Sequence, residues 1–217
     1  MNNKINRTEL VFILDRSGSM SGLEADTIGG YNSMLENQKN EPGEATVTTV
    51  LFDTYAELLH DRIPIQGVAP ITQREYYVRG CTALLDAVGM AIQKISAVQL
   101  HTAPELRADK VLFVITTDGY ENASREYSYE KLRGLVERKK AEGWEFLFLG
   151  ANIDAIGTAA RFGISADRAA NYHADSQGTA VNFAAVSEAA SNLRHNRPMA
   201  GWKKSIDADF TSRKSSR

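Results

Sequence analysis

Four short stretches of this chain, residues 10–14, 47–52, 111–116 and 146–149, are apolar or β-branched from end to end. A strand with one wet face alternates polar and apolar side chains, so a run without alternation has to be covered on both faces. Segments with helical spacing separate these runs. Residues 83–99 place Leu84, Leu85, Val88, Ala91, Ile92, Ile95 and Val98 along one face. Residues 129–141 follow a capping Ser128, carry Glu130 early and Arg138, Lys139 and Lys140 late, and stop at Gly143, as the helix dipole favours. Further helices are expected over 28–38, although Gly29 and Gly30 weaken its start, and over 154–162 and 179–193. Strands alternating with helices predict an α/β fold with a doubly wound, Rossmann-like, mostly parallel sheet and helices on both faces. Residues 56–65 alternate more, follow 47–52 across Asp53, Thr54 and Tyr55, and end at Pro64, which predicts one antiparallel edge strand.

With 217 residues the chain accommodates one well-buried domain, expected over 9–195, between a polar lead at 1–8 and a basic tail at 196–217 read as disordered. The net charge of −2 gives no electrostatic reason to expect nucleic acid or an anionic membrane. The start of the chain lacks the apolar stretch of a signal peptide, and no segment approaches the roughly 20 apolar residues of a membrane span. A lone Cys81 excludes an internal disulfide and fits a reducing compartment. His60, His101, His173 and His195 have no ligand spacing, so a zinc centre is not expected. These features predict a cytoplasmic protein.

Chemistry concentrates at three places. Asp15, Ser17 and Ser19 form a D-x-S-x-S sequence at the end of the first apolar run, Asp118 ends the third, and Thr82 immediately precedes the helix at 83–99. In an open α/β sheet, ligands bind outside the carboxyl ends of the strands where the strand order reverses. If the first and third strands are neighbours, both carboxylates face one crevice, and Thr82 joins them at a helix start with unpaired backbone N–H groups. Each residue alone reads as a turn or cap; their coincidence at one end of the sheet points to a shared site. Carboxylates and hydroxyls are hard donors, suited to Mg2+, with Mn2+ or Ca2+ also compatible.

These residues resemble the metal-ion-dependent adhesion site of the von Willebrand factor type A family. The match rests on Asp15-Arg-Ser-Gly-Ser19, on Thr82 within Gly80-Cys-Thr-Ala-Leu84, and on Asp118 within Ile115-Thr-Thr-Asp-Gly119. The order of elements extends the likeness over most of the chain, and the stretch at 148–163 is similar to stand-alone bacterial and phage-type members. The resemblance implies that Ser17, Ser19 and Thr82 place hydroxyls on the ion and that Asp15 and Asp118 act largely through water. It also implies one coordination position left for an Asp or Glu of a partner protein, and no enzymatic activity. Cys81 departs from the Gly or Ser common at that place; it reads as a small turn residue or as an oxidation-sensitive neighbour of Thr82.

Further residues are candidates for a partner-contact rim: Met20, Tyr120, Glu121, Asn122, Asn152 and Asp154. Asn152 and Asp154 also read as caps of the next helix, and Met20 as a helix-start residue. Two other functions compete with the interaction module. A metal-dependent phosphohydrolase would need a base and a cationic clamp; Arg16 is the one candidate clamp in the motif, and it also reads as solvated. Neither a second Asp two residues after Asp15 nor a phosphate-loop motif is present. The other competitor is a structural subunit of a larger assembly with a purely stabilising metal.

Overall fold

The computed structural model describes residues 6–214. Six strands form one sheet: β1 (Arg7–Asp15), β2 (Glu44–Phe52), β3 (Ala56–Pro64), β4 (Lys110–Thr117), β5 (Glu145–Gly150) and β6 (Ala169–Asn171). Their order is β3-β2-β1-β4-β5-β6, parallel throughout except for the antiparallel β2–β3 edge pair. Among the described residues six α-helices pack with this sheet: α1 (Glu24–Lys39), α2 (Leu84–His101), α3 (Tyr129–Ala141), α4 (Ala155–Arg161), α5 (Ser176–Arg194) and α6 (Lys204–Lys214).

Strand β1 lies between β2 and β4, so the chain winds outward from it in both directions, and the switch point falls at its carboxyl end. Its side chains divide between two cores. Leu10, Phe12 and Leu14 join Tyr31 and Met34 of α1 and Val186 and Ala189 of α5, while Val11 and Ile13 join Val88, Ile92 and Ile95 of α2 and Val136 of α3. Every one of these side chains is at most 1% exposed, which accounts for the missing polar alternation in the sequence.

Three departures from the expected elements have physical causes. Helix α1 begins at Glu24 and runs through both glycines. A Cβ at Gly30 would collide with the Phe183 ring of α5, so this glycine sits where two helices approach closely. Strand β6, Ala-Ala-Asn, has no β-branched or aromatic residue and gives no strand signal; pairing with Phe148, Leu149 and Gly150 makes it a strand.

The third departure corrects the expected disordered tail at 196–217. Met199, Trp202 and Ile206 are buried in the α1/α5 core, Trp202 Nε1 donates to the Asp167 carbonyl at 2.8 Å, and α6 continues to Lys214. The polar lead is likewise shorter than expected, because Arg7 and Thr8 already pair with Glu44 and Ala45 in β1; residues 1–5 and 215–217 lie outside the described residues. Among the described residues no helix is long and apolar enough to cross a membrane. Trp202→Ala is expected to cost about 3–5 kcal/mol, the usual penalty for emptying a large aromatic site, measured by urea denaturation; a solvated tail would give a change below about 0.5 kcal/mol.

Candidate functional site

Asp15 is the last residue of β1, and Asp118 follows the last residue of β4. The β1–β4 register pairs Leu14 with Thr116, which brings the two strand ends level. Thr117 Oγ1 then donates to Asp15 Oδ2 at 2.5 Å, while Asp15 Oδ1 accepts the Ser17 N–H at 2.7 Å. The Asp15 carbonyl accepts a hydrogen bond from the Tyr76 hydroxyl. These contacts turn the chain sharply, and Ser17 Oγ and Ser19 Oγ come to lie 3.0 Å apart.

Gly119 shows where the three loops converge. A Cβ on it would stand 3.0 Å from Ser19 Oγ and 3.3 Å from Thr82 Oγ1. Its φ is not in the left-handed region, so the backbone would accept a side chain, and a methyl group there would occupy the space between the two hydroxyls, which would have to give by only a few tenths of an ångström. Asp15, Ser17, Thr82 and Asp118 are buried, and Ser19 is exposed. The structure therefore gathers Ser19 and Thr82 around one point beside Asp118, with Ser17 and Asp15 directly behind.

The two carboxylates are held differently. Asp15 is fully hydrogen-bonded, yet burial pushes its pKa up to about 6 against the opposing hydrogen bonds from Thr117 and Ser17, with the Asp118 charge adding to the rise. Burial also pushes Asp118 up, opposed by the nearby Ser19 hydroxyl. That hydroxyl is outside hydrogen-bonding geometry, and both Asp118 oxygens are buried without a donor. A doubly orphaned buried carboxylate is costly. Among the described residues no three His, Cys, Asp or Glu side chains converge; the donors gathered here are two carboxylates with three hydroxyls. That set fits a small divalent cation bound by oxygen.

The proposed rim divides. Asn152 lines an open depression of about 410 Å³ together with Ser19, Asp118, Asp26 and Asp175, and Tyr120 is 61% exposed. Met20 is 3% exposed, so it is a core residue and not a contact. Glu121 is turned inward: its Oε1 accepts the N–H groups of Ala123 and Ser124 at 2.9 and 2.7 Å, and its Oε2 accepts the Leu85 N–H at 2.9 Å. The N–H groups expected to be unpaired at the start of α2 are thus capped from another loop. Asn122 grips Thr82 twice, accepting its N–H at 2.8 Å and donating its own N–H to the Thr82 carbonyl at 3.0 Å. Asp154 caps α4 through the Gly157 N–H at 2.9 Å, whereas Asn152 does not cap and instead holds the turn with φ of +54°.

The sequence reading missed Thr117, Gly119, Tyr76 and Asp53. Asp53 was within reach of the rule that found Asp15 and Asp118, because it follows the carboxyl end of β2 directly. Arg16 is neither solvated nor available to a phosphate: it is 1% exposed and paired with Asp53 and Glu57.

The same fold occurs in known structures. Proximal thread matrix protein 1 from the mussel byssus, solved with a zinc-occupied MIDAS motif, aligns with 15% identity over 88% of this chain and 47% of that one, with a TM-score of 0.61. The manganese-loaded TRAP protein of Plasmodium vivax aligns with 16% identity over 82% of this chain and 73% of that one, TM-score 0.56. The vWF domain of a type V pili tip protein from Porphyromonas gingivalis aligns with 10% identity over 85% of this chain and 95% of that one, TM-score 0.59. The chain spans about half the length of the mussel structures it matches. No family model and no curated protein matches the sequence.

Burial of Asp15 has a measurable consequence. With its folded pKa near 6 and an ordinary value of 3.8, the native state binds the extra proton between those values, so this group's contribution to stability is lost as pH rises through that window. Chemical denaturation in EDTA from pH 4 to 7 should show a stability decline that is shallower in Asp15→Asn, by up to about 3 kcal/mol across the window. Superimposable slopes would show that Asp15 is not desolvated.

Proposed function

Given a chain with the von Willebrand factor type A fold, we propose that it is a metal-dependent protein-interaction module that captures an acidic side chain of a partner. Ser17, Ser19 and Thr82 would hold the cation through their hydroxyls, with Asp15 and Asp118 supplying charge and orienting the hydroxyls. Mg2+ is the ion we favour, because the donors are all oxygen and none is a thiolate or imidazole. The observation that carries this reading is the Asp118 carboxylate, buried without a single hydrogen-bond donor beside the two hydroxyls that flank Gly119. A cation held there would offset the two buried like charges and oppose the burial penalty on both carboxylates.

A bound divalent ion with mostly neutral ligands supplies a strong Lewis acid for one external oxygen anion, which in a protein partner is an Asp or Glu carboxylate. The depression between Ser19, Asp118, Asn152 and Asp175 opens the site to such a group. The same depression carries Asp26 and Asp175, so an acidic partner without the metal would meet like charge.

We assign no catalytic step. The one arginine of the motif is committed to Asp53 and Glu57 at 2.9 and 2.5 Å, so it is not free to clamp a transferring phosphoryl group. We also place the protein in the cytoplasm, on the strength of its exposed, unpaired Cys81. A structural subunit with a purely stabilising metal is separated from the interaction module by whether a partner's retention depends on the ion.

Mg2+ or Mn2+ should raise the melting temperature of the wild type in a concentration-dependent way. Asp118→Asn should melt no lower than wild type in EDTA, since it removes a buried charge, and Gly119→Ala should be near neutral there; neither should gain from the ion. A partner retained from lysate in Mg2+ should be lost in EDTA and from Asp118→Asn. Equal retention by wild type and Asp118→Asn would sink this function.

A further inference from the structure

Directly behind the cation site lies a second cluster of charges that the proposed function does not use. Arg16, between Asp15 and Ser17, is among the largest fully buried side chains. Its Nε donates to Asp53 Oδ2 at 2.9 Å, its Nη2 to Glu57 Oε2 at 2.5 Å, and its Nη1 to the Glu75 carbonyl at 3.2 Å. Arg79 Nε donates to the same Asp53 Oδ2 at 2.8 Å. Both guanidinium groups pack on the Tyr77 ring, 5.4 and 5.3 Å from its centroid. Asp53 itself is 2% exposed, and its Oδ1 accepts the Tyr55 N–H.

The backbone is tied along the same line. Arg79 N–H donates to the Arg16 carbonyl at 2.9 Å, Gly18 N–H to the Gly80 carbonyl at 3.2 Å, and Ala83 N–H to the Asp53 carbonyl at 2.8 Å. Cys81 N–H donates to Thr54 Oγ1 at 3.0 Å. These bonds join the D-x-S-x-S loop and the β2–β3 turn to the segment that carries Thr82. That segment, residues 68–83, contains no helix or strand, and irregular stretches of such length are uncommon unless they serve a function.

A buried ion cluster contributes little net stability, because desolvation takes back most of the Coulomb attraction. What it does provide is one defined arrangement of the groups it joins. We propose that Asp53 is a positioning residue for the cation site: by gripping Arg16 and Arg79 on one carboxylate oxygen, it sets the Thr82 hydroxyl against Ser17 and Ser19 before any ion arrives. This inference rests on the cation-binding reading above and extends it to a residue outside the D-x-S-x-S, Thr82 and Asp118 set. Residues that orient metal ligands from behind typically change affinity by about 10–100-fold when removed.

The test uses the whole chain with Mn2+ as the probe. Calorimetric titration of Asp53→Asn should show binding about 10–100-fold weaker than wild type. Hydrogen exchange in EDTA should show faster exchange confined to the segment around residues 79–83. Trp202→Ala, which lowers global stability from the amino-terminal side of β6, should leave Mn2+ affinity within about twofold. Unchanged affinity in Asp53→Asn, or an equal loss in Trp202→Ala, would overturn the positioning role. Should Asp53→Asn fail to fold, Arg79→Gln, whose side chain is 45% exposed, removes one arm of the grip and should weaken Mn2+ binding in the same direction; unchanged affinity overturns the proposal. If the wild type itself takes no Mn2+, the cation reading falls, and the exchange comparison alone decides whether Asp53 organises the Thr82 segment.

Discussion

Two carboxylates are buried at the ends of neighbouring central strands, and the surrounding loops are arranged around that cost. Asp15 and Asp118 lie where β1 and β4 stop, in a setting that disfavours ionisation of both. The protein meets the cost for Asp15 with hydrogen bonds from Thr117 and the Ser17 amide. It leaves Asp118 unmet. Two buried like charges, one without donors, make an arrangement that a cation stabilises and that an apolar core would not retain.

The other acidic groups on this face behave in the opposite way. Glu121 accepts three backbone N–H groups, and Asp86 accepts those of Arg125, Glu126 and Tyr127 at 2.8, 3.0 and 2.9 Å. Asp154 and Asp175 cap α4 and α5. Among the described residues, Asp118 is the only acid whose buried oxygens lack partners. The loops are thus held rigidly by their own carboxylates, and the one unsatisfied carboxylate is where the hydroxyls converge. Rigid loops with a single unsatisfied group favour a preformed site over one that assembles on binding.

Much of this was legible before the structure. The apolar runs gave the parallel strands because burial on both faces removes polar alternation, and β1 through β5 all appear near their expected positions. Asp15, Ser17, Ser19, Thr82 and Asp118 were singled out as candidates by their placement at element ends. What stayed hidden was local sequence with no local signal. Strand β6 exists only through its pairing partners. The tail looked polar because its three anchors, Met199, Trp202 and Ile206, are spaced too sparsely to read as a buried face. Glu121 read as a rim contact and Arg16 as a solvated charge; the Leu85 N–H that Glu121 accepts lies 36 residues away, and the Asp53 and Glu57 carboxylates that pair with Arg16 lie 37 and 41 residues away, beyond any pattern a window can detect.

By itself, the sequence determined the α/β class, the mostly parallel sheet and the presence of oxygen donors at the carboxyl ends of strands, because strand burial and hard-donor chemistry are written in residue type and spacing. Only the tertiary structure decided which donors share a point and which are spent elsewhere. Register brought Asp15 level with Thr117, Gly119 left the space between Ser19 and Thr82 open, and long-range hydrogen bonds committed the Glu121 carboxylate, the Asn122 amide and the Arg16 guanidinium to the loops that hold the site. The physical reason is that hydrogen-bond satisfaction of a buried charge depends on groups far apart in the chain, which no local pattern encodes.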